Sequence, residues 1–541
     1  MKNLIILISV FILLSGYSNS QSWQWAKQIG SSYQGYGERA NNVFFDEDNI
    51  YLVGSYGGSL IFSTDTLSSN GNDDIFISKF DENGNAIWIR TIGGTSISPS
   101  FHEDGFGAFD TINHWLYISG TLVGTAYFGN GISLSSNPSS GEDAFVAKYD
   151  SSGSCQWAKK ISSIGNDRSY CFVQPDGNIL VAGKLSNNGF IDSLSISAGG
   201  FFARFDPNGN LLWAEHKFSG PEKFKLNLSF IGKDIIMTGF FDVNNSTIDT
   251  STLLLAGNIN GFLARLDSMG QVKWIHIFSG PGINGGAGLE VDGSSNIYVT
   301  GGFQDSIQLG SLKLYDSGND FYLSKFDENG NVIWGVQANC DGNIATGSDI
   351  ILDFDGGCIL TGAFNGNAHF GSFNLSTINS YDMFVTKYNS NGTCVGIRNF
   401  GQASGFSVTL DSYNKTICTG VFLNTVNIGS NSFTAFFGQD IYLAKIDDIL
   451  GIEEGRLSNN QLNIHANPNN GTCFIEIPDE FVNDKNVTLS IYDATGKIIQ
   501  QQILQTIDGR FEINIEQKSK GVYHVVLSNL KKSYSGKIVF E

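Results

Sequence analysis

Past its N-terminal segment the chain has no apolar run long enough to cross a bilayer as a helix. Nor does it show a sustained helical apolar period. Charge is sparse at 16% of residues, and cations are scarcer than anions: 32 Lys+Arg against 52 Asp+Glu, a net charge of −20 at pH 7. That balance argues against nucleic acid and anionic membrane as partners, because both demand basic surface. The seven cysteines (155, 171, 340, 358, 394, 418 and 473) contain no C-x-x-C pair, and the seven histidines no H-x-x-x-H or H-E-x-x-H spacing. No metal centre and no cofactor is therefore expected. Cys155 and Cys394 fall at equivalent places in different repeats, so free, buried thiols are expected rather than a bridge. No catalytic constellation is visible either, and the chain reads as a non-enzyme.

What is present is 65 Gly and an abundance of Val, Ile, Phe, Tyr and Thr, an all-β composition. Residues 74–88, DIFISKFDENGNAIW, are a strand, a tight turn and a second strand. Phe76, Ser78 and Phe80 face one way, Ile75, Ile77 and Lys79 the other. Asp81 and Gly84 supply the turn. The same hairpin recurs at 143–157, 199–213, 260–274, 320–334 and 382–396, and its first half recurs at 440–447. Gly396 stands where the others have Trp. The residue before the repeated cation is always small: Ser78, Ala147, Ala203, Ala264, Ser324, Thr386 and Ala444. A second marker, a short β-rich run ending in Gly, appears at Gly54, Gly120, Gly183, Gly239, Gly301, Gly362 and Gly420, with a mean spacing of 61 residues. Two markers with one count and one period predict seven copies of one unit.

Each unit lays out as four antiparallel strands, in the first case 42–46, 50–54, 74–80 and 86–91. Four-stranded units in radial repetition make a β-propeller. The ends fit a ring, since residues 23–27 read as a fourth strand without a third, and 441–446 as a third without a fourth. Pairing them closes the last blade and hides a strand edge. The repeated Trp is expected in the core, and Lys79 is expected to pair with Asp81 on one strand face. The Asp–Gly turns have too few oxygens for a calcium loop.

Outside residues 22–450 the chain changes character. Residues 1–20 have the basic, apolar and small-residue order of a signal peptide, with no cysteine after the apolar run to mark a lipoprotein. Residues 451–460 read as a polar linker. Residues 456–541 hold nine cations and nine anions, so the whole net charge lies before them. Their short strands alternate with turn residues, which predicts a small immunoglobulin-like β-sandwich.

Two resemblances carry these readings further. The D-x-F-x-x-K-x-D-x-x-G-x-x-x-W hairpin and the T-G strand end resemble the SBBP-type repeat of bacterial seven-bladed propellers, a family without a single activity. Gly199 and Asn260 for Asp, Arg204 and Arg265 for Lys, and Gly396 for Trp depart from it. In residues 456–541 the ordered set N-P-x-x-G, I-Y-D-x-x-G-K, G-x-Y-x-V and K-I-V resembles the type A C-terminal sorting domain of the type IX secretion system. Ala466 and Asn467 replace its usual aromatic-Pro opening. This resemblance implies the type IX machinery as a partner, transit through the periplasm, and a final place at the outer surface or outside the cell. The Asp-box of sialidases is a poor match, because the Asp–Gly spacing is one residue longer and Lys79 stands in place of Ser.

In a propeller the loops entering the inner strands converge on one face of the channel, and loops on a rigid scaffold are the usual seat of binding. The candidate binding residues are Tyr36, Glu38, Arg39, His102, Glu103, Asp104, Asp167, Arg168 and Asn284. The expected ligand is a glycan or a protein, with a carbohydrate-active hydrolase or lyase, or a purely structural surface protein, as the alternatives.

Overall fold

A computed structural model describes residues 23–31, 38–62, 65–94, 105–136, 141–219, 226–242, 244–341, 345–377, 381–447 and 449 of the first compact unit. In the second unit it describes 462–478, 481, 487–492, 498–504, 509–515, 518–528 and 533–540. The division between the units falls after Gly451. The expected signal peptide and the 451–460 linker lie outside the described residues.

The first unit is a ring of seven four-stranded antiparallel blades. Blades 1 to 6 span 39–92, 105–162, 168–219, 226–278, 284–337 and 345–401. Blade 7 takes three strands from 403–446 and its outermost strand, Trp23–Ser31, from the other end of the chain. Ala26 faces Ala444, Lys27 faces Leu443 and Ile29 faces Ile441 in that closing pair. Each blade is apolar on both faces, so each face needs a neighbouring blade. Seven hydrophobic clusters fill the seven junctions. In the one that closes the ring, Ile29, Val421 and Leu443 of blade 7 meet Val43, Leu52 and Phe76 of blade 1. The seven small residues before the repeated cation are wholly buried in these layers. All seven cysteines are buried and free.

The repeated Trp is only half-buried, which corrects the expectation of a core residue. It works as a latch between blades. Trp25, Trp88, Trp157 and Trp334 each donate an Nε1 hydrogen bond of 3.1 Å to the second residue of the next blade's turn: Glu82, Ser151, Pro207 and Ser390. Each ring also lies over that turn's glycine, so closely that a Cβ on Gly84 would come within 2.8 Å of Trp25. The glycine is needed twice over, because Gly84 has φ 73°. Trp274 lies over Gly330 in the same way, but the indole nitrogens of Trp213 and Trp274 are buried without an acceptor. Blade 6 has Gly396 because the next blade has no such turn: blade 7 ends its third strand at Ile446 and is completed by another chain segment. Trp23, edge-on to Phe400 at 5.6 Å, packs at that junction instead.

On the opposite face a second seam runs round the ring. Between strands two and three every blade sends out a hairpin that bonds to the end of strand four of the preceding blade. Phe62 pairs with Ile29, Ile191 with Ile161, and Ile248 with Phe218. Tyr127 meets Gly93, Gln308 meets Ser279, His369 meets Ala338, and Leu423 meets Gln402. The sequence does not single these hairpins out, since they lie between the two repeated markers. Their signal is a buried apolar residue followed by a turn residue of positive φ, as in Phe128–Gly129, Ile191–Asp192 and Phe370–Gly371.

The turn aspartates are structural, but not through Lys79. The Asp81 carboxylate accepts from the backbone N–H of Asn83 and Asn85 in its own turn. In later blades the repeated cation reaches the turn between strands one and two: Lys325 to Asp292, Lys387 to Asp353, and Lys445 to Asp411 at 2.7 Å. Lys79 instead lies over the ring of Tyr51.

The second unit is a two-sheet sandwich. One sheet has three strands and the other four, and Cys473, Leu489, Ile513, Val525 and Ile538 lie in the core between them.

Deleting residues 21–30 should strip exchange protection from 441–446 and lower the denaturant midpoint of the whole ring. Damage confined to blade 7 would show that the ring does not depend on its closure. Trp88→Ala or Trp334→Ala should cost about 2–3 kcal/mol, less than a fully buried ring. Trp88→Phe should cost about 1 kcal/mol for the lost hydrogen bond, and Trp213→Phe almost nothing. Equal costs for the two Phe variants in denaturant titration would refute the latch.

Candidate functional site

Strand one of every blade faces the channel. There a cavity of about 840 Å³ takes its lining from all seven blades. The backbone prepares it. Gly54, Gly183, Gly301, Gly362 and Gly420 on strand two sit against strand-one carbonyls, and a Cβ on any of them would come within about 2.2 Å of that oxygen. Strand one also breaks register beside the cavity in blades 1, 5, 6 and 7.

Several lining residues tie one inner strand to the next. The Asn41 amide donates to the Gly105 carbonyl at 2.8 Å, and the Asn227 amide to the Ala287 carbonyl at 3.1 Å. Asn42 accepts from the Gly107 N–H at 2.9 Å. Asp349 accepts from Ser407 Oγ at 2.8 Å and from the Val408 N–H at 3.0 Å. Aromatic surface comes from Phe240 and Phe406 and from a Phe106–Tyr170 pair whose ring centres are 4.8 Å apart. The cations are Arg39, Arg168 and Lys184. The Arg39 guanidinium lies 5.2 Å from the centre of the Phe406 ring.

Of the nine candidate binding residues, Arg39 and Arg168 line this cavity, and both are exposed. Tyr36, His102, Glu103 and Asp104 lie outside the described residues. Glu38, Asp167 and Asn284 are wholly buried and are not part of the lining, which corrects their expected place. They precede the channel residue of their blades and belong to the joints. The Glu38 carbonyl accepts from Gln439 of blade 7, and Asp167 binds the Ser163 hydroxyl and the Ser186 N–H. Burial pushes Asp167 up to about 6, against the hydrogen bonds that lower it. The aromatic and amide lining was missed, because inner-strand residues differ from blade to blade and leave no repeat to read.

Glu290 is a second residue that the sequence did not single out. It lies on the inner strand of blade 5 and keeps partial solvent access. Burial, and then the nearby charge of Asp349, push its carboxyl up to about 8. Elsewhere in the ring, Asp46 and Glu47 of blade 1 approach His114 of blade 2, and the His114 Nδ1–Asp46 distance is 2.8 Å.

Residues 463–541 match the secretion system C-terminal sorting domain. The protein is exported through the type IX secretion system to the cell surface or outside, and it engages that machinery through this segment. Among the described residues no helix is long and apolar enough to cross a membrane. An alignment covering 57% of this chain is 22% identical to an uncharacterized WD repeat-containing protein of Acanthamoeba polyphaga mimivirus. The chain spans only 28% of that protein's length. Among solved structures, the Dos1 propeller is 11% identical with a TM-score of 0.38, over 77% of this chain and 95% of that one. A gluconolactonase of Xanthomonas campestris is 12% identical with a TM-score of 0.30, over 63% and 84%. The blade count rests on the ring's own strand pairing.

The raised Glu290 carboxyl has a pH consequence. Between its ordinary value of 4.5 and about 8, the folded protein holds a proton that the unfolded chain has released. Glu290 therefore makes stability fall as pH rises through that window. Glu290→Gln should gain stability relative to the parent as pH is raised across it, measured as a widening gap in urea midpoints. A gap that stays constant would mean that Glu290 ionises normally.

Proposed function

We propose that the exported ring is a non-catalytic binding module that holds a glycan or protein ligand in its channel at the cell surface or outside. The observation that carries this reading is the cavity of about 840 Å³, whose aromatic, amide and cationic lining differs from blade to blade. Repeated residues are accounted for by the latch, the turns and the blade layers. The unequal inner residues are left to recognise something, and a concave site with apolar walls and a few placed polar groups is the usual form of a ligand pocket. A glycan array probed with the full chain, followed by Ala287→Phe to fill the cavity, tests the reading. Binding of defined glycans that the variant loses is the expected result. No retained glycan and no surface protein captured in a cavity-dependent way would overturn it.

One observation favours a second reading, a carbohydrate-active hydrolase or lyase. Glu290, whose carboxyl burial and then the charge of Asp349 push up to about 8, has the raised acid that glycoside cleavage uses as its proton donor. Release of new reducing ends from array-positive polysaccharides, lost in Glu290→Gln, would install this reading in place of the first.

A further inference from the structure

We infer that the ligand of the channel is an acidic glycan, one whose uronate carboxylates are met by Arg39 and Arg168. This rests on the channel being a binding site and names the class of molecule that it takes.

The first ground is a reversal of charge. The residues before the sorting tail carry the whole net charge of −20. The cavity within them is lined, among the described residues, by Arg39, Arg168 and Lys184 against a single carboxylate, Asp349. Asp349 is engaged by the Ile350 and Val408 N–H groups and by the Ser407 hydroxyl. A cationic patch inside a strongly acidic protein concentrates field lines on an anion that enters it.

The second ground is register. Arg39 and Arg168 occupy the same strand-one position in blades 1 and 3, immediately before the residues that pair with Gly54 and Gly183. At that position blades 5, 6 and 7 have Gly285, Thr346 and Ser404. The fold therefore works with a small residue there, and nothing in the repeat calls for arginine. Both arginines therefore sit at one level of the channel. Arg39 lies over the Phe406 ring, and a guanidinium can meet a carboxylate in a two-point contact.

The third ground separates a sugar from a peptide. The cavity offers flat aromatic faces at Phe106 and Tyr170 beside side-chain amides at Asn41 and Asn227. Sugar rings stack their C–H faces on aromatics and give hydroxyls to amides. The size suits a few sugar units and is too small for a protein domain.

The test is calorimetric titration of the full chain with short oligogalacturonates and oligomannuronates, with their carboxyl-reduced neutral forms, and with oligoglutamate. At least one uronate series should bind, and carboxyl reduction, Arg39→Gln or Arg168→Gln should each weaken it about tenfold or more. Raising salt from about 0.05 to 0.5 M should weaken it as well. Ala287→Phe should abolish it. Three results overturn the inference. Neutral forms that bind as tightly, with binding still lost in Ala287→Phe, would leave the channel a binding site and remove its preference for acid. Oligoglutamate that binds as tightly through the same arginines would make the ligand a peptide. Uronate binding untouched by all three variants, or no uronate binding at all, would move recognition elsewhere.

Discussion

A tryptophan offered by one blade to the turn of the next is the contact around which the ring is arranged. It explains residues that otherwise look unrelated. The turn must place a carbonyl where the indole N–H can reach it, and its last residue must be Gly, both for φ and for the ring lying on it. The turn itself is held by Asp81 and its equivalents, which accept from two backbone N–H groups each. The D-x-x-G and the Trp of one repeat therefore do not serve each other. Each serves a different neighbour, which is why they travel together while lying in separate contacts. Gly396 supports this logic: the Trp is missing only in the blade whose successor has no turn to receive it.

A latch on one face would leave the other free to open, and the hairpins between strands two and three prevent that. They extend the sheet of the preceding blade and cover the end of its outer strand, a position that would otherwise present unpaired backbone groups. With both rims sewn and seven apolar layers between, no blade can leave without exposing two of them. Stability is then a property of the closed ring, and the inner strands are relieved of any duty beyond pairing and keeping their register.

The period made most of this legible. Blade number, strand order and the pairing of residues 23–27 with 441–446 follow from counting two markers and finding two half-units. Burial of each marker was harder to read. A Trp repeated at one place looks like core, yet it lies at a rim, because sequence spacing cannot tell a layer from an edge. Glu38, Asp167 and Asn284 looked like loop residues and are buried joints, since the chain bends inward one residue before the channel. Arg39 and Arg168, the next residues along, are exposed. A shift of one position separates the two outcomes in an extended strand. The sorting tail was legible for a different reason: its motif order is specific and needs no knowledge of packing.

Repeat proteins invite a separation between what recurs and what does not. In this ring the recurring residues have partners that the fold requires: Trp with turn, cation with Asp, strand-two Gly with a strand-one carbonyl. Inner-strand positions are constrained only where they touch the next blade, as with Asn42 and Gly107. Everything else on them is open to variation at little structural cost. A large charged side chain at such a place, in a chain that spends cations sparingly, is not called for by the repeat, which has Gly285, Thr346 and Ser404 there in blades 5 to 7. Arg39 and Arg168 are two such side chains, and they stand at one level of the same cavity. The physical content of a site on a symmetric scaffold is the break in symmetry, and here the break is cationic.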